Sequence, residues 1–444
     1  MAEPIISVSG LRGIVGKSLD PLIASRYAAA FASETKTGTI VVGRDGRPTG
    51  QMLASAISST LQAAGRDVLF ADAAATPTIG VLVREHKAAG GIQISASHNP
   101  AEYNGMKLFG ADGRVINATA GQRVLEKYQE SVAPWVAHNQ IGRLVSCDDT
   151  TSAHLQSVLS TVDVDRIRGC KFRVVLDSNH GAGAVLGKHL LDKLGCEFTI
   201  LGAEPTGQFI HLPEPTAENL SQVGANIVSS QAVIGFCQDP DADRLALIDE
   251  EGRFIGEEYT VAIVLKHILK NRRGPIVTNC STSRMAEDVA AEFDVPFFRS
   301  KVGEANVCDV MKEHDAVYGG EGNGGPIDPQ VGYVRDSFVG IAQVLDAMAE
   351  SQKKISQLAA ELPRYEIYKT KMTMTREAIA GVFDQLEGHF SSAKADRMDG
   401  LRLDWEDKWL LVRASNTEPI VRFIAEASSM NDAKELCEQA KSVI

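Results

Sequence analysis

Four short segments of the 444-residue chain carry residue types whose spacing could support chemistry. Ser97 lies in Ile94-Ser95-Ala96-Ser97-His98-Asn99-Pro100, directly after the apolar run GIQIS. A serine on a tight turn at the C-terminal end of a buried strand stands where ligands collect on an α/β sheet. A plain Ser/Asn/Pro turn is the competing reading. A Ser–His hydrolase dyad is not expected here. Adjacent residues on an extended backbone point to opposite sides, and no GxSxG elbow is present. The second segment, Asp239-Pro240-Asp241-Ala242-Asp243-Arg244, follows the apolar run AVIGFC. Carboxylates at i, i+2 and i+4 on a tight loop can converge on one hard cation, and oxygen-only ligation suits Mg²⁺ or Mn²⁺ better than Zn²⁺. The downstream Gly and Glu spacing is not that of an EF-hand. Clustered acids repel unless a cation or an arginine compensates them, which weighs against an ordinary acidic surface turn.

The third segment, Tyr318 to Gly325, has five glycines among its last seven residues, so its backbone can approach a ligand closely. Its polar side chains, Glu321 and Asn323, could read sugar hydroxyls; a flexible hairpin is the alternative. The fourth is Arg413-Ala414-Ser415-Asn416-Thr417-Glu418-Pro419 with Arg422. Arginine forks plus Ser and Thr hydroxyls make an anion cradle, against the alternative of a capped turn with surface arginines. A serine, an acidic metal loop, a hydroxyl reader and an anion cradle together describe phosphoryl transfer on a polyol phosphate.

The elements that must position these groups repeat along the chain. An apolar β-rich run, a Gly/Ser/Thr-rich turn, a helix with apolar residues every three to four positions and a second short strand occur three times. The first copy runs from TIVVGRDGRPTG through Leu53, Ile57, Leu61 and Ala64 to DVLFA. The second runs from FRVVLDSNHGAG through Leu186, Leu190 and Leu194 to FTIL, and the third from PIVTNCSTS through Met285, Val289 and Phe293 to VPFF. Units of this kind predict mixed, largely parallel sheets in three related α/β domains. From about Lys369 the pattern changes. A strand from about Lys369, a helix over 377–386, the strands LRLDW, WLLVRAS and IVRFIAEA, and a terminal amphipathic helix over 433–443 predict an α+β module with a largely antiparallel sheet. The expected division is therefore 1–150, 151–250, 251–366 and 367–444.

Composition agrees with a globular chain of several domains: 44% hydrophobic, 23% charged, net charge −12. An acidic chain is a poor candidate for nucleic-acid or anionic-membrane binding, although a local cluster of Arg and Lys can still hold a small anion. The seven cysteines are odd in number and form no CxxC, which argues against disulfides and thiolate zinc and for a reducing compartment. The start MAEPIISVSG lacks the pattern of a signal peptide, so the cytoplasm is the expected location.

The four motifs, in order, resemble the phosphoserine, metal, sugar-selecting and phosphate-binding loops of the α-D-phosphohexomutase family, over essentially the whole chain. Ser9-Gly10-Leu11-Arg12-Gly13 is similar to that family's N-terminal Arg-Gly turn, and Tyr103-Asn104-Gly105-Met106-Lys107 to its lysine segment. The resemblance implies four domains around a central cleft and a phosphoryl group on Ser97 in the resting enzyme. It implies a hexose 1,6-bisphosphate intermediate and a Mg²⁺ held by Asp239, Asp241, Asp243 and the phosphorylated Ser97. Arg12, His98, Lys107 and Arg244 would surround the phosphoserine, with Lys107 moving the hydroxyl proton. Lys301, Gly303, Glu321, Asn323, Arg413, Ser415, Asn416, Thr417 and Arg422 would contact the substrate. Two departures fall where sugar identity is read. Asn323 and Gly325 stand where many members have Ser and His, and Glu304 stands where some have His. Glucosamine phosphate is the leading substrate, with mannose or glucose phosphate as alternatives. A metal-dependent phosphatase using Ser97 and a non-catalytic phosphosugar sensor are the other classes.

Overall fold

The computed structural model describes residues 4–444 apart from 8–9, 133, 375 and 415–419. Each of the three sequence repeats folds into the same four-stranded motif. In the first, Ile40–Arg44 pairs in parallel with Val68–Ala73 on one side and with Gly90–Ile94 on the other, and Tyr103–Gly110 then adds antiparallel to Gly90–Ile94. In the second, Arg173–Asp177 lies between Glu197–Leu201 and Ile234–Gln238, with Leu245–Ile248 antiparallel beyond. In the third, Ile276–Asn279 lies between Phe297–Ser300 and Tyr318–Glu321, with Gly325–Ile327 antiparallel beyond. Runs such as IVVGR, IGFCQ and YGGE are buried almost throughout. That is what a strand covered on both faces requires, and why these runs do not alternate.

The shared topology has one consequence for function. The loop joining the third and fourth strands leaves the same sheet edge in every unit. It carries Ser97 in the first, Asp239 to Arg244 in the second, and Gly322 to Gly324 in the third. Gly324 adopts φ +77°, and a Cβ there would meet the Leu245 carbonyl oxygen at 2.3 Å, so this hairpin needs glycine. The first unit is enlarged: Ile5–Ser7 and Gly10–Ile14 extend the sheet beside Tyr103–Gly110, and Leu144–Ser146 extends its other edge.

The C-terminal domain is a wholly antiparallel five-stranded sheet. Its order is Glu366–Thr373, Ile420–Ala427, Trp409–Ala414, Leu401–Asp404, Lys394–Asp396. The last of these strands is too short to show a period and was absent from the sequence expectation. Period-two alternation splits the strand WLLVRA between two faces. Leu410 and Val412 pack with Leu386 and Leu436 of the covering helices. Trp409 and Leu411 pack on Cys280 of the third domain. Trp409 Nε1 donates to Glu426 Oε1 at 2.7 Å, and the Arg284 amide of the third domain donates to the same oxygen at 3.0 Å.

The first and fourth domains have their own cores. The second and third share one. Leu176, Phe236 and Leu247 pack in a single cluster with Ile276, Val289, Phe338 and Val344. The helix Ser337–Ser351, apolar on nearly every side, passes through it and is capped by Asp336, whose carboxylate accepts from the Phe338 and Val339 amides.

Candidate active site

The loop between Gly90–Ile94 and Tyr103–Gly110 holds Ser97 at φ +48°, a left-handed conformation uncommon outside glycine. Ser97 is buried, and its Oγ donates to Asp239 Oδ2 at 2.7 Å. The left-handed turn corrects one expectation. Ser97 and His98 do not diverge as on an extended backbone, and His98 Nδ1 lies 3.3 Å from Ser97 Oγ. Burial, with Arg244 and Arg12 nearby, pushes the imidazole down to about 2, so His98 is neutral. The Ser97 hydroxyl meanwhile points at Asp239, which is not the geometry of a hydrolase dyad.

Asp239, Asp241 and Asp243 are all 0% exposed, and one oxygen from each lies within 4.8 Å of the others. Ala242 at φ +56° turns the loop so that the three carboxylates converge. Asp239 Oδ1 accepts from the Asp243 and Arg244 amides, each at 3.2 Å. Asp241 Oδ2 accepts from Thr76 Oγ1 at 2.5 Å and Lys107 Nζ at 3.4 Å. Asp243 Oδ2 accepts from Lys107 Nζ and Arg335 Nη2, both at 2.6 Å. Asp241 Oδ1 and Asp243 Oδ1 are buried and have no hydrogen-bond partner. Orphaned carboxylate oxygens cost free energy unless something fills them, and oxygen donors alone fit a hard divalent cation. Burial and the other two acids push Asp239 up. Burial acts the same way on Asp243, but Arg335, Lys107 and Arg244 outweigh it and hold that carboxyl low. Lys107 is the converse. Burial would lower it, and Asp243, Asp241 and Glu304 together keep it protonated.

The remaining groups expected from the sequence divide into three sets. Around Ser97, Arg12 Nη1 donates to Asn99 Oδ1 at 2.8 Å, and Arg244 Nε is buried without a hydrogen-bond partner. In the third domain, Glu321 is buried and its carboxylate is already engaged. It accepts from Asn279 Nδ2 at 2.7 Å, the Gly303 amide at 3.0 Å and Arg335 Nη1 at 2.7 Å. Asn323 Oδ1 is buried without a partner, whereas Lys301 is exposed. In the fourth domain, Ser415, Asn416 and Thr417 lie outside the described residues. Arg413 stands directly opposite Arg422 across the sheet, and Arg422 opposite Lys371. Like charges in register repel, and of these three Arg413 is paired with Asp399 at 3.4 Å.

A cavity of about 420 Å³ connects the groups around Ser97 to the fourth domain: Arg12, Ser97, His98, Lys107 and Asp241 line it with Arg422, and none of the third-domain groups does. A larger one, about 850 Å³, lies at the junction with the fourth domain among Tyr259, Leu362 and Tyr365, and holds neither the serine nor the acidic triad.

Two contributors carried no local signal. Thr76 reaches Asp241 from 165 positions away and Arg335 reaches Asp243 from 92. Arg335 also ties in Glu304, whose Oε1 accepts the Arg335 amide at 2.7 Å. One guanidinium thus bridges the acidic loop and the glycine-rich hairpin, and Glu304 pairs with it where a histidine could not.

Comparison with known proteins covers every domain. Models of the phosphoglucomutase/phosphomannomutase alpha/beta/alpha domains I, II and III match residues 5–133, 152–252 and 257–365, and the model of the C-terminal domain matches 369–442. A phosphoglucomutase/phosphomannomutase of Thermococcus kodakarensis is 36% identical over 438 residues, 97% of this chain and 96% of its own length. A protein of Methanopyrus kandleri named "Probable phosphoglucosamine mutase" is 33% identical over 440 residues, 98% and 96% of the two chains. The solved structure of a phosphoglucomutase/phosphomannomutase family protein from Burkholderia thailandensis superposes with a TM-score of 0.83 at 25% identity, over 99% of this chain and 97% of that one.

Proposed function

The chain belongs to the phosphoglucomutase/phosphomannomutase family, and from that membership we propose that it interconverts hexose 1- and 6-phosphates, with glucosamine phosphate the leading substrate. The observation that carries the reading is Ser97 Oγ at 2.7 Å from the buried acidic triad, in a cavity that Arg422 of the fourth domain also lines. Relatives named for phosphoglucosamine mutase support the sugar. The sheets span 5–146, 173–248, 276–327 and 366–427, which supports domains at 1–150, 151–250, 251–366 and 367–444. Seven free cysteines support a cytoplasmic location.

In this reading Asp239, Asp241 and Asp243 hold Mg²⁺ together with an oxygen of phosphorylated Ser97. Mg²⁺ bound there would offset the charge of the transferring phosphoryl group. The sugar hydroxyl oxygen forms a bond to phosphorus as the bond from phosphorus to Ser97 Oγ breaks. Lys107, held as an ammonium, gives a proton to the departing Ser97 oxygen and takes the one released by the hydroxyl, so the transfer needs no net base. The product is a hexose 1,6-bisphosphate. It turns over in the cleft and returns its other phosphoryl group to Ser97 by the reverse step. Arg12 and Arg244 would pair with the transferring group. Arg413 and Arg422, with Ser415, Asn416 and Thr417, hold the phosphate that stays. Glu321 and Asn323, with Lys301 and Gly303, face the sugar, and Asn323 Oδ1 offers it an open acceptor.

A coupled assay against glucosamine, mannose and glucose phosphates with Mg²⁺ tests the proposal. Turnover of at least one, abolished by EDTA and reduced by several orders of magnitude in Ser97→Ala, is expected, with one phosphoryl mass on the wild type and none on the variant. Release of free phosphate without isomerised sugar would mean a phosphatase instead.

A further inference from the structure

We infer that Asp45, Arg47 and Ser95 form a clamp that positions the Ser97 loop for phosphoryl transfer. Asp45 and Arg47 lie in the turn after the first strand of the first repeat, GRDGRPTG, and both are 0% exposed. A guanidinium has five N–H donors in a fixed plane, and here each meets an acceptor. Nε donates to Asp45 Oδ2 at 3.1 Å. Nη1 donates to the Pro100 and Tyr103 carbonyls at 2.7 and 3.1 Å. Nη2 donates to the Ser97 and Asn99 carbonyls at 2.7 and 2.6 Å. Four of the five thus hold the backbone of residues 97–103.

The remaining contacts close a ring around Ser97. Its amide donates to Ser95 Oγ at 2.8 Å, Ser95 Oγ donates to Asp45 Oδ2 at 2.7 Å, Asp45 pairs with Arg47, and Arg47 returns to the Ser97 carbonyl. Both backbone polar groups of the serine are therefore fixed by one network of buried side chains. That network sustains φ +48° at a residue that would not choose it, and the turn is what aims Oγ at Asp239. From outside, Phe209 of the second domain covers the guanidinium, 5.1 Å from ring centre to Cζ. None of the three clamp residues is within hydrogen-bond distance of the acidic triad, so they act as positioning residues through Ser97.

The role rests on Ser97 as the phosphoryl carrier and predicts a split in the kinetics. Displacing reacting atoms by about 1 Å costs about 10²-fold. Arg47→Lys keeps the charge, but its three N–H groups cannot serve five acceptors. Arg47→Lys and Ser95→Ala should each lower kcat by roughly 10–10²-fold, with substrate KM and calorimetric Mg²⁺ affinity within about threefold of wild type. Amide exchange should quicken in residues 95–104 and stay unchanged in Ile40–Arg44 and Val68–Ala73. Ser95→Ala keeps the guanidinium in place, so it remains informative if Arg47→Lys folds poorly. Unchanged kcat in both variants would overturn the clamp, as would a loss of kcat with no change in exchange at 95–104. If the wild type turned over no phosphosugar, the functional reading would fall, and the exchange measurement alone would still decide whether the clamp holds the loop.

Discussion

Replacing Arg335 tests how the acidic site is balanced. The side chain is 9% exposed and pairs with Asp243 Oδ2 at 2.6 Å and Glu321 Oε2 at 2.7 Å. Arg335→Met fills a similar volume but leaves buried Asp243 and Glu321 each short of a hydrogen-bond partner and removes the charge 3.8 Å from Glu304. Lys107 still reaches Asp243, and Asn279 and Gly303 still reach Glu321, so neither is stripped bare. Removing one partner of a buried pair costs about 3–5 kcal/mol. Arg335 belongs to the unit formed by the second and third domains, and at about 2–4 °C per kcal/mol for a unit of that size the loss is roughly 6–20 °C. Differential scanning calorimetry without added metal reads it directly. Part of the deficit should return on adding Mg²⁺, because a cation at the triad supplies the missing positive charge, so the metal-induced rise in Tm should be larger in Arg335→Met than in wild type. A Tm within about 2 °C of wild type would refute the balance argued here, as would an equal Mg²⁺ response in the two proteins.

Two further outcomes are expected. Arg422→Ala should lower kcat/KM for glucosamine, mannose and glucose phosphates by similar factors, corresponding to about 1.5–3 kcal/mol for a lost hydrogen bond to a charged group. Asn323→Ser should change their ranking instead, and reordered preference in Arg422→Ala alone would reverse these assignments. His211 lies against Asp177 Oδ2 through Nε2 at 2.7 Å and against the Leu212 carbonyl through Nδ1 at 2.8 Å, so both nitrogens donate only when the ring is protonated. Burial opposes that charge, but the bond and charge of Asp177 outweigh it and the imidazole is raised above its ordinary 6.5. A raised cationic group stabilises fully below its unfolded value and loses that contribution as pH climbs through its folded one. His211→Asn should therefore lower Tm at pH 5.5 and lower it less at pH 9; an equal drop at both would mean that the ring is held uncharged.

The triad and the serine were legible because each motif is contiguous and its chemistry is set by neighbours two to four positions apart. The repeat was legible for the same reason, since strand–turn–helix patterns are local. What escaped was whatever depends on contact across domains. Nothing near Arg335 marks it as a partner of Asp243, and nothing near Thr76 points to Asp241. Nothing near the Asp45-Gly46-Arg47 turn marks it as the holder of the 97–103 carbonyls. The handedness of the backbone at Ser97 escaped too, because a serine does not prefer positive φ and Arg47, which helps impose it, lies fifty residues upstream.

The common core of the second and third domains determines how this protein can exchange parts with its relatives. Leu176 and Phe236 come from one side of residue 250 and Ile276 and Phe338 from the other, yet they interdigitate in a single cluster. A genetic crossover near that point would oblige side chains from two parents to fit one jigsaw. A crossover between Ser146 and Ser152 leaves the main core of the first domain whole, whereas one between Tyr365 and Lys369 also divides the seam where Trp409 and Leu411 pack on Cys280. The acidic loop and the glycine-rich hairpin are thus best exchanged as one packed unit, and the serine loop is the part more readily taken from another parent.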